Sequence, residues 1–320
     1  MQRPLVAAML LVFSIASLWI GLSAGSVKLT NAEVWQALIG QGSEMHRQIV
    51  NELRAPRVFA AFACGGLLAL AGTLLQVLLR NPLADPYILG ISGGAAVGAL
   101  SALSLGLAAL GVNIGALLGA VAAIVLVFAL SWRSSGARPD RMLLTGVVLS
   151  AGFAAIISLF LVLAPAAQLH GMLFWFMGDM SRVVSAAPVV MLLVIVAIAA
   201  LLLGRTLDIL TLGETKAMTL GLSARPLQVA IFLLAAVAAT AVVVTAGPIG
   251  FVGLLAPHAI RLLGVTRHRP LLALSLIAGG GFLVWADLIA RSVAAPLQLP
   301  AGAVTAVLGV PLLLILLLRR

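Results

Sequence analysis

The chain has 320 residues, of which 63% are hydrophobic and only 9% are charged, and its formal net charge is +10. Soluble globular proteins carry roughly 25% charged residues because water must hydrate their surfaces. The composition therefore excludes a soluble enzyme or a soluble nucleic-acid-binding module and is typical of a polytopic membrane protein. The single cysteine, Cys64, excludes a disulfide within the chain and a metal site built from cysteines.

Uncharged apolar runs predict the membrane spans, since a helix needs about 20 apolar residues to cross about 30 Å of hydrocarbon. Ten runs meet or approach this length; the eighth is short and the third is rich in glycine. They cover residues 4–24, 57–79, 88–108, 112–132, 141–164, 187–204, 226–247, 250–264, 271–292 and 302–318. No linker or soluble domain interrupts them, so the sequence predicts one all-α membrane domain over residues 1–320.

The first run can also be interpreted as a signal peptide. Arg3 precedes it, and the segment Leu22-Ser23-Ala24 resembles a cleavage site. Its apolar stretch of about 20 residues is longer than the 7–15 residues of a usual signal sequence. The length favours a helix that is retained.

The basic residues predict the orientation of the chain. With the N-terminus in the cytoplasm, thirteen of the 19 basic residues lie on the inside and six lie outside. The six outside are Lys28, Arg47, Arg54, Arg57, Arg182 and Arg291. Cytoplasmic loops of membrane proteins carry an excess of lysine and arginine, so both termini are expected to be cytoplasmic. This bias also accounts for much of the positive charge without nucleic acid.

Three connections are long enough to hold structure of their own. Residues 25–56 form a polar outside segment with an amphipathic stretch at Val34, Leu38 and Ile39, which predicts a short surface helix. Residues 165–186 are expected to be a second outside loop. The longest inside connection is 205–225.

A weak internal repeat relates two parts of the chain. In each part an apolar helix ends at a break rich in proline or glycine, residues 81–86 and 247–250, and a further helix follows. The two units are five spans apart, and an odd offset reverses the direction of crossing. Inverted repeats of this kind occur in many transporters. Chance similarity between apolar sequences explains the pattern equally well.

Few polar groups could carry chemistry. The four histidines lack metal-ligand spacing, and no phosphate-binding Gly-x-x-x-x-Gly-Lys-Ser/Thr loop is present in the sequence, so the chain is not expected to hydrolyse ATP. Asp287 is an ionisable group within the ninth span and thus a functional candidate. Arg291 follows it by four residues, and an ion pair within the helix is the simpler interpretation.

Several stretches together resemble the FecCD-type permeases of ABC importers for iron–siderophore chelates, haem and cobalamin, and most closely the cobalamin permeases. They appear in the family's order from about residue 50 to the end of the chain. They are Arg54-Ala-Pro-Arg57, residues 76–95 around Asn81-Pro82-Leu83-Ala84-Asp85-Pro86, Trp175-Phe-Met-Gly178, residues 247–261, Asp287-Leu-Ile-Ala-Arg291, and residues 299–311 with Thr305.

The resemblance implies a type II ABC importer permease fold with ten transmembrane helices. It implies a homodimer with the passage on the two-fold axis, two ATPase subunits on the cytoplasmic side and an extracytoplasmic substrate-binding protein. The subunit would lie in the bacterial inner membrane. It would bind no cofactor, and ATP and magnesium would act at the ATPase subunits.

The resemblance also assigns roles to residues. Arg54, Arg57 and Arg291 are similar in position to the arginines that contact glutamates of the binding protein, although such residues can also simply anchor helix ends at the membrane interface. The connection 205–225 is similar to the family's ATPase-coupling segment, with Gly213, Glu214, Lys216, Ala217, Leu220 and Gly221 as its core. Pro139 and Asp140 correspond to the inner gate, where some relatives have small hydroxyl residues. The spans 141–164 and 302–318 would line the passage.

Two other functions remain open from the residues alone. A secondary transporter driven by an ion gradient would need membrane-embedded carboxylates, for which Asp287 is the main candidate. A membrane-embedded enzyme would need a nucleophile–base pair or a metal site, and the sequence shows neither pattern. Which chelate is carried is not encoded in a recognisable motif; residues 85–90 slightly favour a siderophore or cobalamin over haem.

Overall fold

The computed structural model describes residues 2–25, 27–132 and 139–318. Within these ranges every regular element is helical. The α-helices are α1 (Gln2–Ser23), α2 (Asn31–Leu38), α3 (Glu44–Arg47), α4 (Ala55–Leu78), α5 (Ile91–Ser104), α6 (Ala109–Trp132), α7 (Pro139–Leu163), α8 (Ala166–Phe176), α9 (Ala187–Leu210), α10 (Glu214–Thr219), α11 (Ala224–Ala246), α12 (Val252–Leu262), α13 (His268–Ser292) and α14 (Ala301–Leu318). A π-helical turn at Gln48–Arg54 leads into α4, and 3-10 turns occupy Pro86–Leu89 and Met180–Arg182.

The helices fall into two groups by length. Seven described segments are long and apolar enough to cross a membrane: Pro4–Ser23, Glu44–Leu78, Ala109–Ser131, Arg141–Leu163, Ala187–Leu210, Ala224–Ala246 and His268–Ser292. Three shorter apolar helices, Ile91–Ser104, Val252–Leu262 and Ala301–Leu316, occupy the other predicted runs. The prediction of an all-α polytopic membrane protein is confirmed.

Helix α4 forms the centre of the bundle, and almost all of its side chains are buried. It packs against α13, α11, α9 and α12. Gly65 lies against the backbone of Gly279 on α13, and Gly72 lies against that of Gly253 on α12. Without side chains at these positions the helix backbones approach closely, which is how membrane helices gain packing energy where water is absent.

The two breaks of the proposed repeat lie beside each other. Each precedes a short helix, α5 in one case and α12 in the other. The backbone N–H of Ile249 donates a hydrogen bond to Tyr87 Oη over 3.2 Å. Pro86 packs on Gly253, one residue inside α12. A helix of 14 residues, such as α5, is only about 21 Å long and does not cross the membrane by itself. The irregular segment before each short helix therefore covers part of the membrane thickness.

Two connections differ from the sequence-based expectation. Residues 165–186, expected to be a loop, contain α8, whose Met172 and Trp175 are buried. Eleven residues are too few for a membrane span, so a search for spans cannot find this helix. Helix α9 also continues to Leu210, six residues beyond the predicted span, and Asp208 in its last turn binds the start of α13.

Candidate functional site

One end of the bundle carries a buried cluster of charges. The Arg57 guanidinium on α4 binds the Asp287 carboxylate on α13, with 2.8 Å between Nη2 and Oδ1 and a hydrogen bond of 2.9 Å from Nε to Oδ1. Arg291 lies one turn after Asp287, and its Nε is 3.7 Å from Asp287 Oδ2. Arg57 Nη1 donates a further hydrogen bond of 2.7 Å to Gln298 Oε1. The expected pair within α13 exists, but the shorter contact to Asp287 comes from α4.

Arg54 lies beside this cluster and is held by backbone carbonyls. Its Nη1 donates to the carbonyl oxygens of Leu22 and Ser23 over 2.9 and 2.8 Å, and its Nη2 donates to that of Val27. Arg291 similarly donates to the carbonyl oxygen of Gly21. The two arginines therefore satisfy carbonyls near the end of α1, which a helix terminus leaves without partners.

The three arginines predicted to contact a binding protein thus meet at one site. They line a cavity of about 320 Å³ together with Gln298 and the apolar side chains of Val27, Ile49 and Leu53. All three guanidinium groups are largely buried and hydrogen-bonded within the chain. Their contact with a partner remains a prediction. Within the chain, they hold α1, α4 and α13 together.

The predicted coupling segment forms a short helix at the end of α9. Gly213 precedes α10 with φ +106°, and Gly221 follows it with φ +81°, a backbone region that glycine adopts without strain. Ala217, within α10, is fully buried. Leu220 caps the helix and is exposed, as are Leu212 and Met218, two residues that sequence reasoning missed. Glu214 and Lys216 lie on α10, although the Glu214 side chain is outside the described residues.

Hydrogen bonding to the Asp208 carboxylate fixes the start of this segment. Asp208 Oδ1 on α9 accepts hydrogen bonds from the backbone N–H of His268 over 2.9 Å and lies 2.7 Å from His268 Nδ1. Gly204 packs directly against Arg269 on α13. The end of α9, from which α10 extends, is therefore joined to the start of α13. Helix α13 carries Asp287 and Arg291 near its other end.

The predicted inner gate can be placed only in part. Pro139 and Asp140 begin α7, but their side chains and the preceding residues 133–138 lie outside the described residues. Nearby, a cavity of about 470 Å³ lies between α7 and the two breaks, with Asp85, Tyr87, Ser150 and Phe251 among its lining residues. The lining is largely apolar.

The profile of the FecCD transport family matches residues 10–319. The chain belongs to the FecCD transport family. Its relatives include the Fe(3+) dicitrate transport system permease protein FecD of Escherichia coli, 36% identical over 89% of this chain and 90% of the relative. The cobalamin import system permease protein BtuC of Halobacterium salinarum is 38% identical over 87% of this chain and 75% of the relative. An uncharacterized ABC transporter permease protein of Bacillus subtilis, YvrB, is 36% identical over 96% and 92%.

Solved structures give the same fold. An ABC transporter assigned to the metal-chelate type, in an inward-facing conformation, superposes with a TM-score of 0.88 at 28% identity and covers 99% of this chain and 100% of that one. PsaBC from Streptococcus pneumoniae, in complex with Fab, shares the fold with a TM-score of 0.55 at 16% identity, over 90% and 95%. The FecCD resemblance and the importer-permease fold are confirmed, and the chain is an ABC-transporter permease.

Proposed function

We propose that this chain is the membrane-spanning subunit of an ATP-driven importer that accepts a metal chelate from an extracytoplasmic binding protein. The observation that carries this proposal is the FecCD match over nearly the whole chain. The relatives named for ferric dicitrate and cobalamin, and the solved metal-chelate transporter, support the substrate class. A siderophore or cobalamin is favoured over haem.

Two copies of the chain would form the passage. Helix α7 supports this role, since only 11% of the apolar stretch with which it would span the membrane is buried within the described chain. Exposed apolar side chains on α7 and α14, such as Val148 and Val307, would then face the second copy or the passage. Specificity would reside mainly in the binding protein, because the cavity beside α7 has a largely apolar lining that offers few polar contacts to a ligand.

The ATPase subunits would bind at α10. Its exposed Met218 and Leu220 suit an apolar groove, and the buried Ala217 would transmit movement to the bundle. ATP and magnesium would act only at these partners, with no cofactor on this chain. The arginine end would then face outward toward the binding protein, with both termini cytoplasmic in the bacterial inner membrane. Charged groups at such a surface orient docking more than they add affinity.

The arrangement of Asp287 argues against transport driven by an ion gradient. A coupling carboxylate must exchange its proton or cation during each cycle. Asp287 instead lies against two guanidinium groups, at 2.8 Å from Arg57 and 3.7 Å from Arg291. Asp287 is therefore held as one partner of a structural ion pair between two fixed guanidinium groups.

The experiment is co-purification of the tagged chain with the ATPase and binding protein encoded beside it, followed by ATPase and uptake assays in liposomes. Copurification and ATPase stimulation by the loaded binding protein are expected. Leu220→Asp should reduce ATPase binding at least tenfold, and Glu214→Ala with Lys216→Ala should weaken coupling. Leu105→Asp is the matched control, since Leu105 is exposed beyond the end of α5, near the opposite end of the bundle.

The contrary outcome is equally specific. Uptake that requires an imposed ion gradient, with no bound ATPase and no effect of the α10 variants, would contradict the importer and assign transport to Asp287.

A further inference from the structure

Helix α2 has two apolar faces, and only one of them packs on the bundle. Val34 and Ala37 are fully buried. Trp35, Leu38 and Ile39 are 57%, 37% and 50% exposed. Positions 35, 38 and 39 follow the i, i+3, i+4 spacing, so these side chains share one face. An apolar face that includes tryptophan and is left uncovered indicates a surface that contacts another phase or molecule.

Trp19 fixes the depth of this face relative to the membrane. Its indole Nε1 donates a hydrogen bond of 2.9 Å to Asn31 Oδ1 at the start of α2. The Trp19 and Trp35 rings contact each other, with their centroids 6.5 Å apart. Trp19 lies four residues before the end of the spanning helix α1, a distance of about 6 Å along the axis. Trp35 therefore lies level with the end of a span, where tryptophan is enriched in membrane proteins.

The exposed face of α2 continues a lipid-facing stripe on α1. Val12 and Ile15 are 67% and 66% exposed, and they share a face of α1 with Trp19. Because α1 is long and apolar enough to span the membrane, this stripe meets the acyl chains. The contact between Trp19 and Trp35 extends the stripe from α1 onto α2.

We infer that α2 is an interfacial helix whose Trp35, Leu38 and Ile39 insert into the lipid head-group region beside α1. The side of α2 that faces neither the bundle nor the lipid also fits this placement, because Gln36 on that side is exposed and lies about 200° around the helix axis from Leu38. The helix thus has one side on the bundle, one in lipid and one in water. The inference does not depend on the transported substrate.

Depth-dependent fluorescence quenching tests this placement in the full chain, reconstituted in phosphatidylcholine vesicles. The parent chain is the blank for thiol labelling, because Cys64 is its single cysteine and is fully buried. An environment-sensitive fluorophore is attached to Leu38→Cys and, as the matched control, to Gln36→Cys. Lipids brominated near the ester end of the acyl chain quench groups in the interface, and iodide quenches groups in water.

Bromolipid is expected to quench the label at position 38 at least twofold more than the label at position 36, with the reverse order for iodide. Equal quenching at both positions, or protection of position 38 that appears only when a binding protein is added, would overturn the inference. Trp35→Phe provides a second measurement that needs no label. It should remove a bromolipid-quenched part of the tryptophan emission, and an unchanged quenched fraction would also overturn the inference.

Discussion

The Asp287 carboxylate lies closer to Arg57, 230 residues earlier in the chain, than to Arg291 in its own helix; the N–O distances are 2.8 and 3.7 Å. This ion pair joins α4, the buried centre of the bundle, to α13 at the end where α1 also terminates. Arg291 and Arg54 extend the same cluster to the carbonyls of α1. Three helices from distant parts of the sequence are thus fixed by one carboxylate and three guanidinium groups.

Asp287→Ala is expected to destabilise the fold strongly, because it leaves two guanidinium groups buried without a counter-charge. Removing one partner of a buried ion pair costs about 3–5 kcal/mol. Unfolding of the purified protein in mixed micelles with increasing SDS measures the change in the free energy of unfolding. Glu44→Ala is the matched control, since it breaks the exposed Arg47–Glu44 pair at 3.4 Å and should cost about 1 kcal/mol or less. A similar loss for both variants would contradict the structural role of Asp287.

Gly72→Ala should disrupt the packing of α4 against α12. A Cβ at Gly72 would overlap the carbonyl of Gly253. The atoms that it would meet are all backbone, so no flexible side chain can move aside to make room. Overpacking of this kind costs roughly 1–3 kcal/mol. Gly152→Ala on α7 is the control, because a Cβ there meets no atom within 4 Å. Thermal unfolding in detergent should show a lower midpoint for the first variant alone.

Asp85 predicts a pH dependence of stability. Partial burial between α4 and α5 raises its pKa from 3.8 to about 6, so the folded state favours the protonated form. The stability that this group contributes is complete below its unfolded pKa and is lost as the pH rises through about 6. The contribution of Asp85 to the melting temperature should therefore be smaller at pH 8 than at pH 5.

Asp85→Asn supplies the control for this prediction. Its amide oxygen can still accept the hydrogen bond from Tyr87 N–H, which is 2.8 Å long in the wild-type chain. The variant should lack the part of the pH dependence that arises from residue 85. Identical melting curves for variant and wild type at both pH values would show that Asp85 does not titrate in this range.

Thr30→Ala should loosen α2 alone. The Thr30 hydroxyl accepts from Glu33 N–H, and the Glu33 carboxylate accepts from Thr30 N–H over 2.7 Å, which completes a capping box. Loss of a helix cap typically costs about 1 kcal/mol, so amides in α2 should exchange with deuterium about fivefold faster. Ser43→Ala removes the corresponding cap of α3 and should leave exchange in α2 unchanged.

The same capping box gives α2 its own acid sensitivity. Hydrogen bonds from Thr30 hold the pKa of Glu33 below its usual range. The contribution of the ionised carboxylate is therefore present above pH 4.5 and is lost as the pH falls. The protection factors of amides in α2, which correct for the slower intrinsic exchange at low pH, should fall on acidification in the wild-type chain and change less in Thr30→Ala.

Membrane physics made most of the architecture predictable from the sequence. Apolar runs marked the spanning helices, since the bilayer demands length and hydrophobicity whatever the neighbouring helices are. The short motifs between Arg54 and Pro311, which appear in the family's order, indicated the family. The resemblance placed Gly213 and Gly221 in the coupling segment 205–225, and both have positive φ angles, one on each side of α10.

Tertiary structure decided which groups meet. The sequence placed Asp287 and Arg291 one helical turn apart, but only packing of α4 on α13 brings Arg57 closer to the carboxylate. Asp208 and His268, 60 residues apart, meet in the same way and join the end of α9 to the start of α13. Helix α8 is too short to be recognised from the sequence as a membrane span. Which side of α2 packs on the bundle was likewise decided only by the tertiary structure. Local patterns set by the solvent can be read along the chain, whereas contacts between distant helices depend on how their surfaces fit together.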